Sequence, residues 1–239
     1  MGKRKCFLVL DTETCGSLEE PLVYDLGAQV IDLSGHELES ASWTIYDIYA
    51  GQRELMQTAY YAEKLPQYEV GMKNGQWQMK RFYNARKQIL TWLEDYDVIA
   101  VCAYNASFDR KALNNTLRFL TEGKSRFFFP YGTEFIDIWT MASSTIFKTA
   151  RYRKMAYENN WVSPHGNVRT TAEHAYRYLT GNIEYEERHT ALEDVKIEVC
   201  IFLHCWKRCK SEEKRIVSNP WKLPQGEWYY TEARKDGVI

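Results

Sequence analysis

The chain has 239 residues, of which 45% are apolar and 26% are charged, and its formal net charge is −1. This composition is ordinary for a globular protein. The near-zero charge excludes a protein that attracts nucleic acid through an overall positive field, so any such affinity must come from local patches.

Three features of the sequence predict where the protein resides. The apolar run near the N-terminus has five residues before the first acid, which is too short for the apolar core of a secretory signal. No window reaches the roughly 18 apolar residues of a membrane span. The six cysteines show no zinc-type CxxC spacing. We therefore expect a soluble cytoplasmic protein with reduced thiols and no membrane partner.

Five short apolar runs predict β-strands. They cover residues 5–10, 23–32, 39–48, 98–103 and 134–139. Helical patterns occupy the stretches between the later strands, so three strands come first and strands then alternate with helices. This order favours a mixed α/β sheet with helices on its faces.

Two stretches lie outside this alternation. The segment 50–92 leans toward helix and is unusually aromatic. We interpret it as an insertion whose helices cover the sheet, in preference to a nucleic-acid lip or a partner surface. Residues 211–239 combine Pro and Gly with four Trp or Tyr residues and predict irregular chain packed on the domain. The prediction is one domain over residues 1–210, including the insertion, followed by this tail.

The first predicted strand runs into two acids. Asp11 follows Leu8, Val9 and Leu10 directly, and Glu13 comes two residues later. On a strand this spacing puts both carboxylates on one face, where they repel each other unless a cation lies between them. Oxygen ligands of this kind suit Mg²⁺ or Mn²⁺. A solvated strand end is the alternative, and the pair by itself favours that alternative.

A third acid, Asp109, follows the buried run 98–103 at the start of a predicted helix over 108–120. The helix macrodipole also favours an acid in the first turn, which is the structural alternative. In open α/β sheets, however, ligands collect beyond the carboxyl ends of the strands, and Asp109 belongs to such a connection.

The stretch "EERHTALEDV" places a histidine and a fourth acid around a helix start. Thr190 and Glu193 form a T-x-x-E capping box, which makes Ala191 the first helical residue. Asp194 is then held on a rigid turn that suits a metal ligand. His189 lies on the incoming loop, where an imidazole can move a proton near neutral pH. The alternative is a packing histidine beside an acid that the helix dipole favours.

The order of these residues, D-x-E, then D, then H-x-x-x-x-D, resembles that of the DEDDh 3′→5′ exonucleases. This DnaQ-like group includes the proofreading subunits of DNA polymerases. The stretches that carry the resemblance are "LDTETCG", "AYNASFD" and "HTALEDV", and "YDLGAQVID" and "FIDIW" extend it over roughly residues 5–205. The stretch from "NVRTTAEHAYRYLTG" to "HTALED" is similar to small standalone exonucleases encoded by bacteriophages.

The resemblance implies an α/β, ribonuclease H-like fold, with a mixed five-stranded sheet flanked by helices. It implies that His189 is the general base and that four acids hold two Mg²⁺ or Mn²⁺ ions, namely Asp11, Glu13, Asp109 and Asp194. Two other strand acids, Asp25 and Asp137, are expected to be structural or to support the site rather than to bind metal.

The reaction that the resemblance implies is hydrolysis of single-stranded or frayed DNA from its 3′ end to nucleoside 5′-monophosphates. An RNA-trimming 3′→5′ exoribonuclease and a non-catalytic nucleic-acid-binding module are the alternatives. A polymerase or another replication factor is a candidate partner. The expected location is the cytoplasm, which is the host cytoplasm if a bacteriophage encodes the protein.

The resemblance implies that three residues beside the motifs contact the terminal nucleotide. Thr12 would do so through its backbone N–H, and Asn105 and Phe108 flank the acid of the second motif. N-capping by Asn105 and core packing by Phe108 are the alternatives. Tyr104 and Cys15 stand where many members of the family have His and Thr. These departures remove no metal ligand, but they leave substrate positioning open.

Charge is uneven along the chain. Residues 148–177 carry six Lys or Arg residues against two Glu, interleaved with Tyr152, Tyr157 and Trp161. The stretch predicts either a basic groove that guides and stacks a single strand, or an ordinary solvated face with its aromatic residues in the core.

Overall fold

The computed structural model describes residues 2–75 and 77–208, which form a mixed sheet flanked by helices. The six strands are β1 Lys5–Gly16, β2 Pro21–Asp32, β3 Glu37–Ile45, β4 Gln78–Lys80, β5 Asp97–Ala103 and β6 Phe135–Asp137. The predicted α/β class is confirmed. The count of five strands is wrong, because the segment 50–92 contributes the short strand β4. The predicted tail, residues 211–239, lies outside the described residues.

Hydrogen bonding orders five of the strands as β4-β3-β2-β1-β5. β1 pairs antiparallel with β2, and β2 pairs antiparallel with β3. The β1–β5 and β3–β4 pairs are parallel. β2 is buried along its whole length, in agreement with its position between two neighbouring strands.

β1 is longer than its apolar run predicts. The expected strand ends at residue 10, but β1 continues through Asp11 and Glu13. The pairing with β2 explains the extension, because Asp11 lies opposite Gly27 and Glu13 lies opposite Asp25. Backbone hydrogen bonds between strands do not depend on side-chain polarity. Hydropathy therefore marks the end of the apolar core and not the end of the strand.

The described residues contain α1 Tyr46–Tyr49, α2 Arg53–Met56, α3 Leu65–Lys73, α4 Phe82–Asp95, α5 Ala106–Leu120, α6 Ile138–Ala142, α7 Ala150–Glu158, α8 Ala172–Thr180 and α9 Ala191–Trp206. One 3-10 turn covers Ala62–Lys64 and one π-helical turn covers Ser143–Phe147. Three of these helices, α2, α3 and α4, begin within segment 50–92. Among residues 2–75 and 77–208, no helix combines the length and apolar character that crossing a membrane requires.

The chain divides into two compact units. Within the described residues, the first unit comprises residues 2–75, 77–102, 107–134 and 188–196, and the second comprises 103–106, 135–187 and 197–208. All five residues that the sequence predicts as ligands or general base belong to the first unit: Asp11, Glu13, Asp109, His189 and Asp194.

In the first unit, α4 presents one apolar face to the interior. Phe82, Ala85, Ile89 and Trp92 recur at three- and four-residue spacing and are all buried. The Trp92 ring packs against Trp43 of β3, with ring centroids 5.7 Å apart. α4 therefore covers this part of the sheet.

In the second unit, two aromatic residues of the basic stretch 148–177 are core residues. Tyr152 is fully buried, Trp161 is nearly so, and their ring centroids lie 6.5 Å apart. The Tyr152 hydroxyl donates a hydrogen bond to the Arg169 carbonyl, so its polar end is satisfied in the interior. Core packing is confirmed for these two residues, and a role as exposed stacking platforms is wrong for them.

β2 approaches the start of α9 so closely that only glycine fits. A Cβ atom on Gly27 would lie 2.3 Å from the carbonyl carbon of Ala191 and 2.4 Å from the amide nitrogen of Leu192. Both are backbone atoms, which cannot rotate away. The absence of a side chain at Gly27 is therefore what lets the first turn of α9 rest on β2.

We expect Gly27→Ala to lower the free energy of unfolding by roughly 3 kcal/mol, the upper end of the range for overpacking, because the α9 backbone must move. Urea denaturation followed by circular dichroism would measure the change. Gly2→Ala is the matched control, since nothing lies within 4 Å of the added atom there. Equal stability of the two variants would contradict the close approach.

Candidate active site

The two acids of β1 lie just beyond the point at which its parallel neighbour stops pairing. β1 pairs with β5 as far as Val9, opposite Cys102, whereas its pairing with β2 continues past Glu13. Asp11 is half-buried, and Glu13 is 7% exposed. Both carboxylates therefore stand at the carboxyl end of the parallel pair, where ligands collect in α/β sheets.

A buried acid on β2 holds the start of α9. Asp25 lies opposite Glu13 in the sheet. Its Oδ2 accepts hydrogen bonds from the Ala191 backbone N–H at 3.0 Å and from the Tyr68 hydroxyl at 2.8 Å. The Ala191 N–H is one of the helix-terminal donors that have no partner within the helix. Together with the close approach at Gly27, this bond fixes the backbone on either side of Ala191.

His189 and Asp194 take the positions that the sequence predicts relative to α9. The helix begins at Ala191, and the Asp194 N–H donates to the Thr190 carbonyl at 3.1 Å. Asp194 is 7% exposed, while His189 is half-buried. His189 precedes the helix with a φ of +53°, in the left-handed region that residues other than glycine rarely adopt. The chain therefore turns sharply just before it enters α9.

The side chains of Glu13, His189 and Asp194 converge. Each offers one carboxylate oxygen or imidazole nitrogen, and these three atoms all lie within 4.8 Å of one another. Two carboxylates held this close repel each other, and a divalent cation relieves the repulsion. Carboxylate oxygens are ligands that Mg²⁺ and Mn²⁺ prefer. The donor set therefore fits the ions that the sequence predicts.

Among the described residues, Asp11 and Asp109 are not part of this 4.8 Å group. Asp109 is 3% exposed in the first turn of α5, and its Oδ1 accepts a hydrogen bond from the Thr12 hydroxyl at 2.8 Å. Thr12 lies between Asp11 and Glu13 on β1, so this bond ties the second predicted motif to the first. The role of the four acids as ligands stays a prediction.

The three predicted nucleic-acid contacts lie beside these acids in the sequence. The Thr12 hydroxyl is engaged with Asp109, which does not affect a contact through the Thr12 backbone N–H. Asn105 precedes α5 with a φ of +69°, unlike the extended backbone of an ordinary N-cap residue. Phe108 is half-buried in the first turn of α5. Contact of these residues with nucleic acid stays a prediction.

Sequence patterns do not reveal two residues of the first unit that support this region. The Tyr61 ring stacks on the His189 ring, with centroids 3.6 Å apart and planes at 12°. Tyr68 donates its hydroxyl hydrogen bond to Asp25. Both tyrosines belong to the segment 50–92, and its aromatic enrichment is the one signal in the sequence that draws attention to them.

Two buried strand acids have raised pKa values. Burial raises the pKa of Asp25 to about 6, while hydrogen bonds from Ala191 and Tyr68 act in the opposite direction. Burial also raises the pKa of Asp137 to about 6, although the backbone N–H of Thr140, at 2.9 Å, stabilises its charged form. Asp137 caps the N-terminus of α6 in the second unit. These contacts agree with the structural role expected for both acids.

Asp137→Asn is expected to change how stability depends on pH. Between the ordinary pKa of 3.8 and the folded value of about 6, the folded protein binds more protons at Asp137 than the unfolded chain does. The stability contributed by this group is therefore lost as pH rises through that window. Relative to Asp137→Asn, the parent should lose roughly 2 kcal/mol between pH 4 and pH 7.

Urea titrations of both proteins at several pH values would measure this difference. Asp95→Asn, at the exposed end of α4, is the control, because it removes one acid that is on the surface and not buried. A parent-to-variant difference that is constant with pH would contradict the raised pKa of Asp137.

The similarity of this chain to known proteins lies in its fold. No protein-family model matches the sequence, and no curated protein matches it. A structure of exonuclease I that addresses processivity has a TM-score of 0.52 at 12% identity, over 95% of this chain and 43% of that one. E. coli exonuclease I in complex with a 5cy-dT13 oligonucleotide has a TM-score of 0.51 at 13% identity, over 99% and 45%.

A third structure, exonuclease I from Methylocaldum szegediense, has a TM-score of 0.50 at 15% identity, over 96% of this chain and 45% of that one. The chain has the fold of these exonuclease I structures. The likeness confirms the ribonuclease H-like α/β class expected from the sequence. The chain spans less than half the length of the exonuclease I chains.

Proposed function

We propose that the protein is a metal-dependent 3′→5′ exonuclease that hydrolyses the phosphodiester bonds of single-stranded or frayed DNA. The observation that carries the proposal is the convergence of Glu13, His189 and Asp194 within 4.8 Å, on a fold like that of exonuclease I. Two acids and an imidazole at one place supply the ligands and the proton acceptor that metal-assisted hydrolysis needs. The product would be a nucleoside 5′-monophosphate.

Two Mg²⁺ or Mn²⁺ ions are proposed to be held by the four acids Asp11, Glu13, Asp109 and Asp194. Such ions, when bound, neutralise the charge that develops on the scissile phosphate. Three of these acids are fixed by regular elements or hydrogen bonds. Glu13 lies on a paired part of β1, Asp194 lies in the first turn of α9, and Asp109 is bonded to Thr12. Ligands fixed in this way need little rearrangement when a cation binds.

His189 is proposed as the general base. It lies on the loop before α9, and one of its ring nitrogens belongs to the 4.8 Å group. A water molecule held between the carboxylates and the ring would lie within hydrogen-bond reach of that nitrogen. Imidazole exchanges protons near neutral pH, so the ring can accept a proton as the water attacks phosphorus.

Two other functions are alternatives to this proposal. One acts on a different substrate, and the other catalyses no reaction. An exoribonuclease of the same fold would use the same acids, and no side chain in the described residues is identified as a reader of the 2′-hydroxyl that distinguishes RNA. A non-catalytic module would bind nucleic acid without turnover. The complete set of four acids with His189 favours an enzyme over such a module.

Asp11→Ala is expected to slow the Mg²⁺-dependent shortening of a 5′-labelled single-stranded oligonucleotide by at least about 100-fold, because an electrostatic contribution to the transition state is lost. Gel analysis would show loss of the ladder that shortening from the 3′ end produces. Asp95→Ala, which removes an exposed acid at the end of α4, is the matched control and should retain the parental rate.

Circular dichroism would establish that Asp11→Ala is folded, and calorimetry with Mn²⁺ would measure whether it has lost ion binding. If the folded variant shortens DNA as fast as the parent, the assignment of this acid pair to catalysis is wrong. If the parent protein does not bind Mn²⁺ at these acids and does not shorten an oligonucleotide, the non-catalytic module is favoured.

DNA is expected to be the better substrate. Matched single-stranded DNA and RNA oligomers of the same sequence, digested side by side, should show the larger kcat/KM for DNA. The 2′-hydroxyl is the one chemical difference on the sugar that the protein can sense. Faster digestion of RNA would replace the proposed substrate with that of the exoribonuclease alternative and leave the reaction type unchanged.

Several expectations rest on the resemblance or the sequence alone and stay predictions. They are a polymerase or replication factor as partner, a bacteriophage origin, a cytoplasmic location, and the division into a domain over residues 1–210 and a tail over residues 211–239.

A further inference from the structure

A short part of the insertion contacts the loop that carries His189. The Tyr61 ring stacks on the His189 ring. Gln67 Nε2 donates a hydrogen bond to the Arg188 carbonyl at 3.1 Å, and the Tyr68 hydroxyl lies 3.5 Å from the His189 carbonyl. All three contacts come from residues 61–68, and they reach the consecutive loop residues Arg188 and His189. The region of Tyr61 to Tyr68 therefore supports this loop directly.

His189 depends on tertiary contacts for its orientation, because no helix or strand holds it. Residues 181–190 contain no regular element apart from a turn. The φ of +53° at His189 is sparsely populated for residues other than glycine. Such a conformation persists when the surrounding structure over-determines it. The contacts of the loop must therefore fix both its backbone and its ring.

The geometry of the stack fixes the plane of the imidazole. The ring centroids lie 3.6 Å apart and the planes differ by 12°, so the two rings meet face to face. The imidazole nitrogens lie on the ring edge, and a contact on the ring face does not occupy them. One of them lies within 4.8 Å of one carboxylate oxygen of Glu13 and one of Asp194. The Tyr61 ring thus sets the plane in which His189 meets the two acids.

Tyr61 is itself tied to the strand that carries the first acids. The N–H of the preceding residue, Tyr60, donates to the Thr14 carbonyl of β1 at 3.3 Å. Thr14 directly follows Glu13. The backbone beside the stacking ring is therefore hydrogen-bonded to the same strand that carries this acid. Tyr60 packs edge-on against Tyr61, with ring centroids 4.9 Å apart, and is 68% exposed.

We propose that Tyr61 is a positioning residue that holds the His189 imidazole in the plane in which it accepts a proton beside Glu13 and Asp194. The inference rests on the proposed function, because it gives Tyr61 a part in that reaction. Tyr61 acts through His189 and not on the substrate. Its loss therefore slows the chemical step and leaves substrate binding in the ground state unchanged.

Three variants test the proposal in the oligonucleotide assay. Tyr61→Leu removes the ring and keeps an apolar side chain, and it should lower kcat about 2- to 10-fold at unchanged KM, as expected for the loss of one aromatic pair. Tyr61→Phe keeps the ring and should stay within about twofold of the parent. Tyr83→Leu removes an equally exposed ring of the same segment, on α4, and should also match the parent.

An unchanged kcat in Tyr61→Leu would overturn the proposal. An equal loss in Tyr83→Leu would overturn it as well, because the effect would then belong to the segment 50–92 and not to the stack. A rise in KM at constant kcat would do the same, since it would place Tyr61 in substrate binding.

A second measurement does not need activity. In metal-free protein with labelled histidine, the Tyr61 ring current should displace the NMR signals of the His189 ring, which His189→Gln identifies by their disappearance. Tyr61→Leu should abolish this displacement and Tyr61→Phe should preserve it. Signals that do not move in Tyr61→Leu would overturn the proposal. A parent without nuclease activity would overturn the proposed function instead, and the NMR result alone would then decide whether Tyr61 orients His189.

Discussion

The contact between β2 and the start of α9 is the constraint on which the candidate site depends. At Gly27 the strand backbone meets the helix backbone at a distance that excludes a Cβ atom, and two residues away Asp25 accepts the Ala191 N–H. β2 is also the antiparallel partner of β1, and it lies opposite Asp11 and Glu13. β2 therefore contacts both the start of α9 and the strand that carries the first acid pair, so it sets the distance between the two halves of the site.

Electrostatic repulsion opposes this arrangement, and hydrogen bonds and regular structure maintain it. Glu13 and Asp194 are nearly buried and lie close to each other, and Asp25 is buried opposite Glu13. Burial raises the pKa of Asp25 to about 6, and the bonds from Ala191 and Tyr68 stabilise its charged form. Like charges repel more strongly where water is excluded. A divalent cation would relieve this repulsion in a site that the strand and helix backbones have already shaped.

The segment 50–92 has two structural roles that explain its aromatic composition. α4 buries one apolar face, and Trp92 at the end of this face packs against Trp43 of β3. This part of the segment covers the sheet. The region from Tyr61 to Tyr68 instead contacts the His189 loop and Asp25. Aromatic side chains serve both roles because they combine a large contact face with, in tyrosine, a hydroxyl that can bond a buried acid. This segment therefore supports the site as well as covering the sheet.

The sequence by itself determined the kinds of element and the order of the polar residues, because apolar periodicity and helix capping are local properties. The capping box at Thr190 correctly predicted that α9 begins at Ala191, with His189 before it and Asp194 in its first turn. The tertiary structure alone decided that β1 continues past its apolar run, that a sixth strand forms, and that Tyr61 stacks on His189. Strand pairing and side-chain stacking join residues far apart in the chain, so no local pattern records them.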